Sequence, residues 1–160
     1  MDILALYRTL ISQIDAIIGH ISQIHADSIQ CRAGCSECCV NFTVGAGEFT
    51  AIKKSLLSAL PEHISGNKDK GECFFLKDNL CSIYEIRPII CRTHGFPVRY
   101  KNERDETAYA SCDKNGQTDM NESNTLNIDE INEKLAILNK LAIKENPNLK
   151  ERYFLHEIFS

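Results

Sequence analysis

Apolar residues step along the N-terminal stretch at intervals of four and three: Ile3, Tyr7, Leu10, Ile14, Ile17, Ile21 and Ile24, with Leu6, Ile11 and Ile18 widening the stripe. Side chains at those intervals share one face of a helix, so the pattern predicts a long amphipathic helix over about residues 2–28. Its seven-residue seam has two readings, packing on another helix of the same chain or self-association into a homodimer through this helix. Intrachain packing is preferred for a stripe that belongs to a single domain. A second stripe, Ile128, Ile131, Leu135, Leu138 and Leu141, predicts a last long helix that ends before Pro147. Both faces are too apolar to stand in water. No other segment reads as long enough to cover the two of them, so they are expected to pack on one another.

Between the stripes the periodicity breaks up. Residues 29–47 read as an irregular turn in which Gly34, Gly45 and Gly47 let several side chains converge. Residues 48–60 predict a short helix carrying Phe49, Ile52, Leu56, Leu57 and Leu60, and residues 66–71 read as a polar loop. A small hairpin is predicted over 73–76 and 80–83 around Asp78-Asn79, followed by a short helix opened by Pro88 and carrying Ile89, Ile90 and Cys91. Residues 96–100 and 107–112 predict a second hairpin with Cys112 at its end, residues 116–127 a polar linker, and Tyr153, Phe154, Leu155 and Ile158 a short terminal helix. The expected fold class is mainly α: two long helices framing an irregular cysteine-rich metal-binding centre with one or two small β-hairpins, as one domain over residues 1–160.

Composition narrows the functional classes. The chain has 160 residues, 43% of them hydrophobic, which suits one domain with its own core. With 18 Lys+Arg against 22 Asp+Glu the net charge is −4, and no long basic run occurs, so neither nucleic acid nor an anionic membrane is an expected partner. Asp2, Arg8 and Asp15 interrupt the first apolar stretch, which also lacks a basic n-region, so it reads as neither a signal peptide nor a membrane span. A cytoplasmic address is expected. There clustered cysteines hold metal or do redox chemistry more often than they form structural disulfides.

The cysteines carry the candidate chemistry. Four of the eight, Cys31, Cys35, Cys38 and Cys39, fall within the nine residues CRAGCSECC, and Cys73, Cys81, Cys91 and Cys112 follow. Thiolates are soft ligands for zinc or for iron–sulfur clusters, and the two-residue gap between Cys35 and Cys38 lets both sulfurs reach one metal. A disulfide framework is disfavoured by the adjacent Cys38-Cys39 pair. Thioredoxin-like redox chemistry is disfavoured because no βαβ pattern surrounds the motif. Neighbouring side chains point apart, so Cys38 and Cys39 read as serving two metals or two edges of a cluster. Eight sulfurs would fill two tetrahedral four-cysteine sites or one binuclear site. Arg32, Arg87 and Arg92 lie close in sequence to cysteines and could offer N–H donors to a thiolate centre, although Arg32 reads equally well as a solvated surface residue. His94 reads as hydrogen-bonded structure in preference to a nitrogen ligand. His20, His25, His63 and His156 have no partners at ligand spacing and read as surface or helix residues.

CRAGCSECC followed by CFFL and then CSIYEIRPIICR resembles the bacterial cysteine-cluster (CxxCxxCC) family, a zinc- or iron-chelating domain, over about residues 31–97. Three residues rather than two separate Cys31 from Cys35. The resemblance therefore carries to Cys35, Cys38, Cys39, Cys73, Cys81 and Cys91 as metal ligands and leaves Cys31 and Cys112 at its edges, as closing ligands of a larger centre or as buried thiols. A related cysteine cluster occurs in the lysine N-methylases of flagellin. The expected property is metal binding, with zinc as the cofactor and an iron–sulfur cluster as the alternative. An enzyme with a catalytic centre for methyl transfer or redox, and a metal storage or delivery protein, are the competing classes. No G-x-G-x-x-G loop follows a strand, so a Rossmann-type cofactor site is not supported.

Overall fold

The structure, a computed structural model, describes residues 2–32, 34–59, 71–115 and 119–159. Asp2 caps the first helix, α1 (Ile3–Ile24), by accepting a hydrogen bond from the Leu4 N–H at 3.0 Å. The buried seam of α1 is Ile3, Tyr7, Leu10, Ile14 and Ile21, all packed within the chain, whereas Ile17 and Ile24, which the spacing places in the same stripe, are about half exposed. A short strand, β1 (Thr43–Gly45), runs directly into α2 (Ala46–Ala59). This helix begins two residues earlier than its apolar pattern suggests, and its expected last residue, Leu60, lies outside the described residues, as do 66–70 of the expected polar loop and His63.

The hairpin β2 (Leu76–Lys77) and β3 (Leu80–Cys81) turns through Asp78 and Asn79, whose φ values of 50° and 60° suit these short polar side chains. A five-residue helix, α3 (Ile89–Thr93), follows Pro88 as expected. Then β4 (Val98–Lys101) pairs antiparallel with β5 (Thr107–Ala110) and, on its other edge, parallel with β6 (Leu126–Asn127). The expected linker 116–127 therefore contains a strand and a 3₁₀ turn over Glu122–Asn124, and residues 116–118 lie outside the described residues. Asn127 caps α4 (Ile128–Glu145) through the Glu130 N–H.

Two expectations need correction. The chain end is not a helix at Tyr153 and Phe154: β7 (Arg152–Phe154) pairs antiparallel with β1, with Val44 opposite Tyr153, and only Leu155–Phe159 turns helically, as 3₁₀. Tyr153 and Phe154 place β-favouring residues next to an open strand edge, and that edge lies over a hundred residues away in sequence, where local periodicity cannot see it. Likewise, α1 and α4 do touch, but each packs more extensively on α2, which is the central helix of three. Small residues make this possible. A β-carbon on Gly47 would sit 2.8 Å from Leu138 Cγ and 2.7 Å from the Leu138 carbonyl oxygen, so glycine lets α4 press its backbone against α2. Gly45 and Gly47, read from sequence as loosening a loop, instead serve close packing.

No helix among the described residues is long and apolar enough to cross a membrane.

Candidate metal centre

Cys91 lies on α3, too short a helix to be stable alone, and the helical scaffold fixes it from two sides. Glu48 of α2, 5% exposed, accepts with one oxygen, Oε1, both the Ile89 N–H at 2.6 Å and the Tyr7 hydroxyl at 2.7 Å. One carboxylate thus ties the start of α3 to α1 and α2. Burial pushes the Glu48 carboxyl above its usual range, against the opposing pull of those two donors and of Arg152 and Arg92. On the far side of α3, Arg92 is 4% exposed and grips Asp15 of α1 through both carboxylate oxygens, at 2.7 and 3.0 Å. It also donates to the carbonyls of Arg87, at 3.1 Å, and Glu85. The Arg92 partners are thus Asp15 and backbone and not sulfur. Arg87 lies 3.7 Å over the Tyr84 ring, and its charge favours the Cys81 thiolate.

The sulfurs find their donors in the backbone. Burial raises the Cys73 and Cys81 thiols, opposed at Cys73 by the N–H groups of Phe75 and Leu76, the latter also donating to the Cys73 carbonyl at 3.0 Å, and at Cys81 by the Ile83 N–H. Such donors favour thiolate, and they occupy the place that sequence reading gave to arginines.

Contacts bring the thiols into two neighbourhoods that meet at Cys38 and Cys39. The Cys73 N–H donates to the Cys39 carbonyl at 3.0 Å, beside an isolated bridge between Val40 and Glu72, and the hairpin sets Cys81 opposite Leu76. Cys39, Cys73 and Cys81 are thereby brought together, and α3 adds Cys91. Burial pushes the Cys39 thiol up to about 12, with the thiols of Cys38, Cys73 and Cys81 adding to the shift. Burial likewise raises Cys91 well above the ordinary thiol range, and its sulfur neighbours are Cys73, Cys81 and Cys39.

The second set gathers around Gly95. The Cys31 sulfur reaches the His94 carbonyl at 3.9 Å, and the Cys112 N–H donates to the Gly95 carbonyl at 3.3 Å. Gly95 has φ +94°, and a β-carbon there would overlap Cys31 Sγ and stand 3.8 Å from Cys112 Cβ. Buried Asn115 fixes the arrangement by donating to the Gly95 carbonyl at 2.6 Å and accepting the Gln30 N–H at 2.9 Å. Across the same site Lys114 pairs with Glu37, which lies between Cys35 and Cys38. Cys31 is raised by burial and then by its neighbours Cys38, Cys35 and Cys112.

All eight cysteines are free thiols. Among the described residues, no three His, Cys, Asp or Glu side chains are already drawn together as a ready metal site. The thiols are instead satisfied locally, Cys38 and Cys39 by a shared hydrogen bond and Cys31 by the His94 carbonyl. The donor chemistry nevertheless fits a thiophilic cation. Several half-buried thiols repel one another's ionisation, and a cation in their midst removes that penalty. His94 caps α3 and tilts against Phe42 with ring centroids 5.9 Å apart; His156 bonds Asn41 at 3.2 Å; His25 is buried rather than on the surface. Glu48, Tyr7, Gly95 and Asn115 carry no motif of their own, and the sequence reading missed them. A cavity of about 580 Å³ lies beside α3, lined by Phe42, Val44, Glu48, Ile90, Leu135 and Arg152 among others.

A model of the family labelled CxxCxxCC and described as "putative zinc- or iron-chelating domain" matches residues 30–113, just over half of the 160-residue chain. No curated protein and no solved structure matches.

Proposed function

The chain belongs to the CxxCxxCC family of metal-chelating domains, and we propose that it binds zinc through the thiolates of Cys39, Cys73, Cys81 and Cys91. One observation carries this reading: Cys73, Cys81 and Cys39, from separate segments joined by a backbone bond and a hairpin, are the sulfur neighbours of Cys91 on its clamped helix. Four cysteines match the closed tetrahedral shell of structural zinc. Zinc would supply a redox-inert cross-link between these segments, and each thiol that binds would release its proton to solvent. Elemental analysis and the visible spectrum of anaerobically purified protein test this. Zinc without visible absorbance is expected. Brown protein with iron and sulfide would replace zinc by a cluster, and protein without metal, both as purified and after addition of zinc or of iron and sulfide, would overturn chelation.

A second reading, an enzyme with a catalytic centre, draws on the cavity beside α3, since Ile90 lines it next to Cys91. Mixed apolar and polar walls of this size suit a small ligand. A shift in the spectrum of cobalt-substituted protein on addition of candidate small molecules would favour it.

A further inference from the structure

The CRAGCSECC motif looks like one site, but its cysteines part company in the fold. Cys39 leaves the motif to join Cys73 across the Cys73 N–H bond to its carbonyl, with Cys81 on the hairpin beyond. Cys31 turns the other way, onto Gly95, where Cys112 also lies. Cys35 and Cys38 stay with Cys31: the Cys35 N–H bonds the Arg32 carbonyl at 3.0 Å, and Lys114, two residues past Cys112, pairs with Glu37 between them. We propose that Cys31, Cys35, Cys38 and Cys112 form a second four-thiolate site for a thiophilic divalent cation, adjoining the first at Cys38 and Cys39.

Three features support this grouping. Gly95 is the residue that admits Cys31: its φ of +94° suits glycine, and any side chain there would displace the sulfur. Asn115, 8% exposed, holds the Cys112 loop to both Gly95 and Gln30, so the segments that bracket Cys31 and Cys112 are fixed with buried hydrogen bonds. Finally, the Cys39 set has four sulfurs without Cys38, and Cys38, although its thiol shares a hydrogen bond with that of Cys39, is also a sulfur neighbour of Cys31. Cys31 and Cys112, at the edges of the family pattern, become full ligands, and the motif becomes a junction between two centres.

The inference rests on the chelation reading, and metal stoichiometry separates the two. The full-length chain, reduced, stripped and titrated with zinc, is expected to hold two ions per chain. Cobalt(II) loading should give tetrathiolate absorption that doubles between one and two equivalents. The variant carrying Cys31→Ser and Cys112→Ser should hold one ion with about half the cobalt absorption, and so should the one carrying Cys73→Ser and Cys81→Ser. One ion per chain in the unaltered protein would overturn the second site while leaving chelation standing. Loss of both ions from the Cys31, Cys112 variant, with its helical circular dichroism intact, would replace two separate sites by one bridged centre. No bound ion at all would overturn the chelation reading itself.

Discussion

Replacing Glu48 by alanine tests the link between the helical scaffold and the sulfur centre. In the structure a single oxygen of Glu48 accepts from the Tyr7 hydroxyl and the Ile89 N–H at 2.7 and 2.6 Å. Tyr7 is 2% exposed, so water cannot easily replace the lost partner. Each buried donor left unpaired costs about 1–3 kcal/mol, so Glu48→Ala should cost about 2–6 kcal/mol, a large share of the 5–15 kcal/mol typical of a domain. Glu48→Gln provides the control. Both bonds go to one oxygen, which the amide retains, and burial already disfavours the charged carboxylate, so the change should cost only about 1 kcal/mol. Tyr7→Phe, which removes one of the two donors, should fall between them. Because the chain has no tryptophan, urea unfolding should be followed by far-ultraviolet circular dichroism. Zinc affinity should follow the same order, since α3 carries Cys91. Alanine and wild-type proteins within 0.5 kcal/mol of one another, or glutamine as damaging as alanine, would refute the clamp.

Four further outcomes are expected. Deleting residues 1–24 uncovers the faces of α2 and α4 that pack on α1 and should cause aggregation in size-exclusion chromatography; a soluble, folded monomer would count against this packing. In metal-free protein the Cys39 thiol is raised from 9.0 to about 12, so its contribution to stability is complete below about pH 9 and is lost as pH rises towards 12. The urea midpoint should therefore fall across that window, and a rise would contradict the sign. Gly95→Ala forces a β-carbon into a left-handed position against Cys31 and should destabilise the fold by about 1–3 kcal/mol, measured by thermal unfolding, and lower the zinc content by about one ion per chain. Chelator treatment should speed amide hydrogen exchange in residues 35–40 and 72–83 far more than in α1, α2 and α4; uniform acceleration would mean that metal supports the whole fold.

The helices were legible because their stripes are local: the seam of α1 and the capped start of α4 follow directly from spacing. The turn at Asp78-Asn79 and the Pro88 boundary were legible for the same reason, since each is set by the backbone preferences of two or three residues. What stayed hidden depends on distant partners. β1 and β7 pair across most of the chain, and β6 lies in a polar segment that becomes a strand only because β4 offers it an edge. The cysteines could be listed from sequence, but their division could not. Spacing set Cys38 and Cys39 to two metals or two edges of a cluster, but that Cys73 lies against Cys39 depends on a backbone bond between distant segments, which spacing does not show. Glu48 was invisible because a carboxylate in the first turn of a helix reads as an ordinary dipole partner, and only tertiary packing turns it into a buried acceptor.

The two halves of the molecule are stabilised by different physics. Phe49, Ala51, Ile52, Leu56, Ile131, Leu138 and Ala142 bury a continuous core among α1, α2 and α4, and such a core stands on hydrophobic burial alone. The cysteine-bearing segments have no comparable resource. Strands β2 and β3 are two residues each, shorter than an isolated hairpin needs, and the described residues of 29–39 contribute no helix or strand. Phe75, Ile83 and Ile89 attach these segments to the core at one end, and the Glu48 and Arg92 clamps hold α3, but the far ends carrying Cys35 and Cys38 rest on a few backbone bonds, a Ser36–Asn79 side-chain bond and an exposed ion pair. Exposed pairs contribute about 0–1 kcal/mol, whereas a structural zinc in a small peptide contributes about 10–16 kcal/mol. The disparity decides the order of events. The helical scaffold can form first and present Cys91 on a fixed helix, and ion binding then draws the loops in around it.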